Sequence, residues 1–186
     1  MKLNLDDAWI QSYRGGQIHP LNPKLDELHV EDFSHSLSNL CRFGGHTKRF
    51  YSIGQHCVLV SQACDQEYAL EGLLHDAAEG CGLVDMPSPV KHSKYLSGYR
   101  LLDEQMEEAI AEKFKLKYPW PKTVKQADMI LLMTERRDLM APPPVPWMFE
   151  EFQVLPKKIV PWSPKVAEKK FLERYYELEE RRKIGK

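Results

Sequence analysis

The stretch Ala-Leu-Glu-Gly-Leu-Leu-His-Asp-Ala-Ala-Glu-Gly, residues 69–80, is the part of the chain that most strongly indicates its fold. Its apolar residues recur at helical spacing and predict a helix over 67–80: Leu70, Leu73, Leu74, Ala77 and Ala78. His75 and Asp76 lie inside that pattern, where an ionisable pair is costly to bury unless it is paired or bound to a metal ion. The stretch therefore predicts a buried helix that carries a polar site.

The sequence on both sides of this stretch predicts further helices, and hence an all-α bundle of about six. The same spacing predicts helices from Glu31 to about 41 and over 53–63, 97–117, 124–140 and 163–182. Asp32 or Ser34 is available to cap the first of them. Gly80 and Gly82 suit the end of the central helix. In the last helix the residues expected to face inward are Val166, Phe171, Leu172 and Tyr175.

Glycine and proline mark the segments expected to be irregular. Residues 1–30, which contain Gly15-Gly16, predict an irregular arm or a small hairpin. Pro87 and Pro89 predict a loop, and the prolines of residues 141–147 predict a stiff surface loop, because proline lacks the N–H donor that a helix needs. We expect one domain over residues 1–186, with an arm (1–30), a core (31–140) and a proline-rich loop followed by the last helix (141–186).

Composition and charge exclude several classes of protein. The 186 residues are 42% hydrophobic and 28% charged, as in an ordinary globular protein. A net charge of -1 gives no basic field with which to hold duplex nucleic acid. No apolar run approaches the roughly 20 residues that cross a bilayer, so we expect a soluble protein without membrane contact. The four cysteines form no CxxC pair and follow no signal peptide, which favours buried thiols in the cytoplasm: Cys41, Cys57, Cys64 and Cys81.

Two more polar residues are set into apolar helical patterns, His56 and Asp128. Taken singly, each has a simpler explanation as a core residue bonded to backbone, and the His75-Asp76 pair could be a capped or salt-bridged pair. Together the four supply imidazole nitrogen and carboxylate oxygen from separate helices, which is how helical bundles build metal sites. This donor set suits a divalent ion such as Zn, Mn, Fe, Co or Mg.

The order of these residues, with the stretches around them, resembles the HD-domain phosphohydrolase superfamily. The stretches are Arg-Phe-Gly-Gly-His-Thr-Lys-Arg-Phe-Tyr-Ser-Ile-Gly-Gln-His (42–56), His-Asp-Ala-Ala-Glu (75–79), Asp-Met-Pro-Ser-Pro-Val-Lys (85–91) and Val-Lys-Gln-Ala-Asp (124–128). They are similar to the bacterial 5′-deoxynucleotidase branch and to phage-borne relatives that include dATP triphosphohydrolases. The resemblance covers about residues 31–140. It implies an HD-domain helical bundle that binds a divalent metal ion.

The resemblance also implies roles for individual residues. The implied metal ligands are His56, His75, Asp76 and Asp128. Glu79, three positions after Asp76 and so expected on the same helical face, matches the catalytic glutamate of the family. Asp85 matches a second acid that would protonate the leaving oxygen, although the link 80–84 is one residue longer than usual. The implied substrate contacts are Arg42, Phe43, His46, Lys91 and Lys125. Without the resemblance these side chains would be a core aromatic, surface cations and a carboxylate at a helix end.

The function implied by the resemblance is hydrolysis of a deoxyribonucleotide at the phosphate nearest the sugar. A monophosphate would yield a deoxynucleoside and phosphate, a triphosphate would yield triphosphate instead, and the sequence leaves that choice open. Relatives form homo-oligomers, which the resemblance extends to this chain, in the cytoplasm of a bacterium or of a phage-infected host. Three alternatives stay open: an HD phosphodiesterase or nuclease, a non-catalytic nucleotide-binding protein, and a helical scaffold without a ligand.

Overall fold

The computed structural model describes residues 7–149 and 151–184. The remaining parts of the predicted arm and C-terminal segment, residues 1–6, 150, 185 and 186, lie outside the described residues. Apart from a two-stranded hairpin, the described chain is all-α, which confirms the predicted fold class. Its helices are α1 (Val30–Asn39), α2 (Ile53–Ala63), α3 (Ala69–Leu74), α4 (Ser88–Lys91), α5 (Ser97–Phe114), α6 (Lys122–Leu139) and α7 (Pro164–Ile184). Of the helices in these two ranges, none is both long enough and apolar enough to cross a membrane.

The arm ahead of α1 forms the small hairpin that its glycines predict. Strand β1 (Ile10–Gln11) pairs antiparallel with β2 (Gln17–Ile18), with Ile10 opposite Ile18. Gly15 has a φ of +85° in the connecting turn, a conformation that residues with a side chain adopt only under strain. Ile18 is buried in the core and anchors the hairpin to the bundle.

Helix α2 is the central element of the bundle and packs against α1, α3, α6 and α7. Ser52 caps it by accepting a hydrogen bond from the Gln55 N–H at 3.1 Å. The core around α2 consists of aromatic and aliphatic side chains from its neighbours, among them Phe33, Leu37, Tyr51, Leu73, Leu74, Leu131 and Phe171. A helix covered on most sides can carry a polar side chain only if that side chain finds partners.

Helix α7 is fastened to α2 by a buried arginine. Arg174 donates hydrogen bonds to the Oγ and the backbone O of Ser61, both at 3.0 Å. Phe171 is fully buried as predicted, whereas Val166 is 41% exposed, so the prediction that Val166 faces inward is wrong. The buried residues of α7 are Ala167, Phe171, Arg174 and Leu178. This buried stripe begins at Ala167, one residue later than expected, and includes the arginine that bonds to Ser61.

The start of α1 differs from the prediction for a local reason. Neither Asp32 nor Ser34 caps the helix, which begins at Val30 without a side-chain cap. Asp32 Oδ1 accepts the Arg14 N–H at 2.8 Å, and Ser34 Oγ donates to the Glu31 O at 3.0 Å. The predicted cap is therefore wrong, because short polar side chains inside the first turn find other backbone partners.

The region between the central stretch and α6 is more helical than its prolines suggest. Residues 88–91 form α4, so the predicted loop is wrong there, because Pro89 lies in the first turn where a missing N–H breaks no helical hydrogen bond. Helix α5 ends at Phe114, earlier than predicted, because Lys115 adopts a left-handed φ of +54°. The proline-rich residues 141–147 form no helix, as predicted.

Candidate metal centre

The predicted helix over the central stretch is interrupted at the His75-Asp76 pair. Helix α3 ends at Leu74, Asp76 has a φ of -101° and a ψ of 14°, and a 3-10 turn covers Ala77–Cys81. Gly82, with a φ of +92°, ends this turn in the left-handed conformation that glycine adopts freely. The prediction of one continuous helix through this stretch is therefore wrong.

The interruption changes how the site residues are placed. Successive residues of a regular helix point about 100° apart. Here His75 Nε2 lies 3.2 Å from Asp76 Oδ1, so the two adjacent side chains meet at one point. The Glu79 N–H donates to the Asp76 O at 3.1 Å and closes the tighter turn. Asp76 and Glu79 are therefore neighbours, as their spacing of three residues suggests, but through a 3-10 turn and not through an α-helix.

Both histidines have one ring nitrogen bonded and the other unsatisfied. His56 Nδ1 lies 2.6 Å from Glu135 Oε1, and His75 Nδ1 lies 2.9 Å from the Gly72 O. Because these oxygens only accept hydrogen bonds, each Nδ1 carries a proton and each Nε2 faces the other way. Both Nε2 atoms are buried and lack a hydrogen-bond partner in the part of the chain that the structure describes. Proteins present imidazole to a metal ion in this way.

Carboxylate oxygens surround the two free nitrogens. His56 Nε2 lies 3.6 Å from Asp76 Oδ2 and 3.1 Å from Asp128 Oδ1. One ligand atom each from His56, His75 and Asp76 lies within 4.8 Å of the others, so this group could hold a metal ion. Asp128, on α6, is outside that tight group and its side chain is 36% exposed. Buried nitrogen and oxygen donors without partners fit a divalent ion.

The charges around His56 also favour a cation. Burial and the positive charge of Arg42 lower the pKa of His56. The carboxylates of Glu135 and Asp128 outweigh both effects and raise this pKa to about 9. Burial would raise the pKa of Asp128, but the protonated imidazole of His56, with Nε2 3.1 Å from Asp128 Oδ1, holds it well below its usual range. His56 therefore carries a second proton, on Nε2, and its positive charge stands where a metal ion would bind. A metal ion would have to displace this proton.

Glu135, on α6, connects this centre to the core, and its sequence context does not mark it as functional. The fully buried carboxylate accepts three hydrogen bonds: from His56 Nδ1 at 2.6 Å, from Tyr51 OH at 2.8 Å and from Arg42 Nε at 2.9 Å. Burial would raise the pKa of Glu135, yet the charges of Arg42 and His56 hold it below its usual range. Its spacing from Asp128, seven residues or two helical turns, is the one feature of the sequence that points to it.

Two further carboxyl groups lie beside the centre. Glu79 Oε2 is buried and lacks a hydrogen-bond partner among the described residues. Burial and the negative charges of Asp76 and Asp85 raise the pKa of Glu79 well above its usual range. Burial also raises the pKa of Asp85, whose carboxylate accepts a backbone hydrogen bond from Phe43. A cation between these groups would relieve their mutual repulsion.

Arg42 lies between the acidic groups of the centre. Its Nη1 is 3.4 Å from Asp76 Oδ2, and its Nη2 is 3.7 Å from Asp128 Oδ1. Phe43 follows with a left-handed φ of +56°, and its ring centroid lies 6.4 Å from that of Trp147. Because Arg42 is buried among carboxylates, a substrate could make the predicted contact with its guanidinium only by binding next to Asp76 and Asp128.

The remaining residues predicted to bind substrate lie farther out. Lys91, at the end of α4, pairs with the buried Asp103 of α5, and its charge lowers the pKa of Glu79. His46 and Lys125 are exposed. Their contact with substrate stays a prediction, as does that of Lys91.

Comparison with known proteins places the chain among relatives without assigning an activity. It is 37% identical over 180 residues to the uncharacterized protein YfdR of Escherichia coli strain K12, a match that covers 96% of this chain and 99% of YfdR. It is 31% identical over 129 residues to an uncharacterized protein of Rhodobacter capsulatus, covering 64% of this chain and 65% of that protein. No family model matches the chain. The information on its chemistry therefore lies in the side chains of the centre.

Proposed function

Because the chain belongs to the family of Escherichia coli YfdR, whose name carries no activity, we propose a function from its own residues: a metal-dependent phosphohydrolase of the HD type. Its substrate is a deoxyribonucleotide, and its products are a deoxynucleoside with either phosphate or triphosphate. On the basis of the resemblance alone, we also propose that the protein forms a homo-oligomer in the cytoplasm.

One observation carries this proposal: two buried imidazoles turn unpartnered Nε2 atoms toward the same aspartate. His56, His75 and Asp76 would hold the ion, with Asp128 as the fourth ligand. When bound, a divalent ion supplies Lewis acidity that lowers the pKa of water and polarises a phosphoryl oxygen. The donor set accommodates Zn, Mn, Co, Fe or Mg and does not select among them.

The other residues of the centre supply the proton transfers and the positive charge. Glu79, with an unpartnered oxygen, accepts a proton from the water that attacks the phosphorus. The bond between phosphorus and the 5′ oxygen of the sugar breaks, and Asp85 gives a proton to that oxygen. Arg42 and Lys91 provide cations on the side of the phosphoryl oxygens. The water oxygen ends on the phosphate product.

Product analysis tests the proposal directly. The purified protein is incubated with each of the eight common dNMPs and dNTPs in the presence of Mn, Co, Mg or Zn, and products are separated by ion-exchange chromatography. We expect a deoxynucleoside together with phosphate or triphosphate. Activity on the diester bis-p-nitrophenyl phosphate alone would show a phosphodiesterase instead. Stoichiometric metal without any hydrolysis would show a binding protein.

A further inference from the structure

We propose that Glu135 is a positioning residue that orients His56 and restrains Arg42, and that it thereby sets the affinity of the centre for its metal ion. The inference rests on the metal centre of the proposed function. It goes further in assigning a task to a buried carboxylate that neither the ligand set nor the proton transfers use.

Both oxygens of Glu135 are occupied, and each faces a different part of the centre. Oε1 accepts from His56 Nδ1 at 2.6 Å and from Tyr51 OH at 2.8 Å, whereas Oε2 accepts from Arg42 Nε at 2.9 Å. The side chains of Glu135 and His56 are both 0% exposed, so no water replaces these contacts. Such a carboxylate bonded to Nδ1 fixes the ring orientation and leaves Nε2 for the ion.

The contact with Arg42 has a separate effect on the same ion. The guanidinium lies closer to Glu135, at 2.9 Å, than to Asp76 at 3.4 Å or to Asp128 at 3.7 Å. Those two aspartates are needed by the ion. Without Glu135, the ion pairs left to Arg42 among the described residues would be those with these two aspartates, and the guanidinium would compete with the ion for their charge. The Glu135 carboxylate therefore orients the ligand His56 and also binds the Arg42 guanidinium, which would otherwise compete with the ion.

The variant Glu135→Gln separates these effects from simple packing, because it keeps the size of the side chain. A glutamine has one acceptor oxygen, so it cannot satisfy both His56 and Arg42, and its amide N–H₂ would face one of these two donors. The matched control is Glu27→Gln, which alters another carboxylate bonded to a histidine Nδ1, that of His19 at 2.8 Å, away from the centre. Mn²⁺ and Zn²⁺ affinity is measured by titration calorimetry on both variants and on the wild type.

We expect Glu135→Gln to weaken ion binding by about 10- to 100-fold, as loss of such a partner does in other metal sites, with Glu27→Gln close to the wild type. We also expect a protected Nδ1–H imidazole signal of His56 in the NMR spectrum of the loaded wild type, and its loss in Glu135→Gln. Affinity within twofold of the wild type in a folded Glu135→Gln variant would overturn the inference, as would a wild type that takes up no ion. Nucleotide hydrolysis is assayed separately, so a wild type that binds ions but hydrolyses nothing contradicts the proposed function alone.

Discussion

His56 and His75 are oriented toward one point by two unlike acceptors. The acceptor of His75 is the backbone carbonyl of Gly72, three residues earlier in the same turn of chain. The acceptor of His56 is the carboxylate of Glu135, 79 residues away on another helix. The first contact forms whenever α3 forms, whereas the second requires α2 and α6 to pack together. Tertiary folding therefore completes the centre.

Glu79 is the residue whose replacement should separate ion binding from turnover. In Glu79→Gln the side chain keeps its size but can no longer accept a proton from water, and loss of such a group lowers rates by about 10²- to 10⁴-fold. We expect that loss in the turnover number on the deoxyribonucleotide identified as substrate, with metal content by elemental analysis unchanged. The control is Glu27→Gln, outside the centre. Undiminished turnover in Glu79→Gln would remove this residue from the mechanism.

Polar residues inside apolar helical patterns can be recognised from the sequence, and the structure brings His56, His75 and Asp76 together as that pattern suggests. Glu135 could not be recognised in the same way. It stands in Thr-Glu-Arg-Arg-Asp, residues 134–138, which looks like the solvated end of a helix. Its complete burial depends on which elements cover α6, and helical spacing within one segment does not contain that information.

At the level of elements, apolar spacing located most helices but concealed the interruption after α3. Ala77 and Ala78 are buried as a helix would require, yet they belong to a 3-10 turn. Because a 3-10 turn and an α-helix differ by only about 0.6 residues per turn, a pattern of five or six residues fits both. The change of geometry at Asp76 is what brings adjacent ligands together, and it was not predictable from spacing.

The crossing of α1 and α2 gives a prediction about stability. A Cβ added to Gly54 would lie 2.7 Å from Ser38 Oγ and 3.1 Å from Ser38 N, and the backbone atom cannot move without shifting α1. Overpacking of this kind costs about 1 to 3 kcal/mol. We expect Gly54→Ala to lower the free energy of unfolding by about 1 to 2 kcal/mol in urea titrations, despite the better helix propensity of alanine.

The matched control for that substitution is Gly98→Ala in the first turn of α5. In the described part of the chain, no atom outside the adjacent residues and the helix's own backbone lies within 4 Å of a Cβ added there, so the better helix propensity of alanine acts without a clash. We expect an unchanged or slightly higher free energy of unfolding. Equal effects of the two substitutions would show that α1 and α2 are not in close contact at Gly54.

For the whole molecule, the notable feature is an uneven distribution of charge. The chain has a net charge of -1, yet five carboxyl groups converge on the centre: Asp76, Glu79, Asp85, Asp128 and Glu135. Arg42 and the protonated imidazole of His56 offset only part of this charge, Lys91 is paired with Asp103, and the remaining repulsion raises the pKa of Glu79. A phosphate approaching such a group meets repulsion unless a divalent cation is present. This balance is a reason, independent of any resemblance, to expect metal dependence for activity on a nucleotide.

Burial and charge also shift the pKa of a carboxyl group outside the centre. This shift predicts how the free energy of unfolding of the whole protein depends on pH. Burial and the charge of Asp103 raise the pKa of Glu107 on α5 to about 7, against hydrogen bonding from Tyr118. Below pH 4.5 the folded and unfolded states both hold this proton, whereas between pH 4.5 and 7 the unfolded chain has released it and the folded chain has not. Glu107 therefore lowers the free energy of unfolding as pH rises through this window.

Glu107→Gln should remove that loss, because the amide stays neutral and its oxygen can still accept from Tyr118 OH. One pKa unit corresponds to about 1.4 kcal/mol, and contact of the side chain with water reduces the effect. From pH 4 to pH 8 we therefore expect the free energy of unfolding of Glu107→Gln to rise by about 2 kcal/mol relative to that of the wild type. Urea titrations at both pH values measure it, with Glu104→Gln, an exposed carboxylate of the same helix, as the control for removing a charge from α5. A stability difference between Glu107→Gln and the wild type that is the same at both pH values would contradict the raised pKa of Glu107.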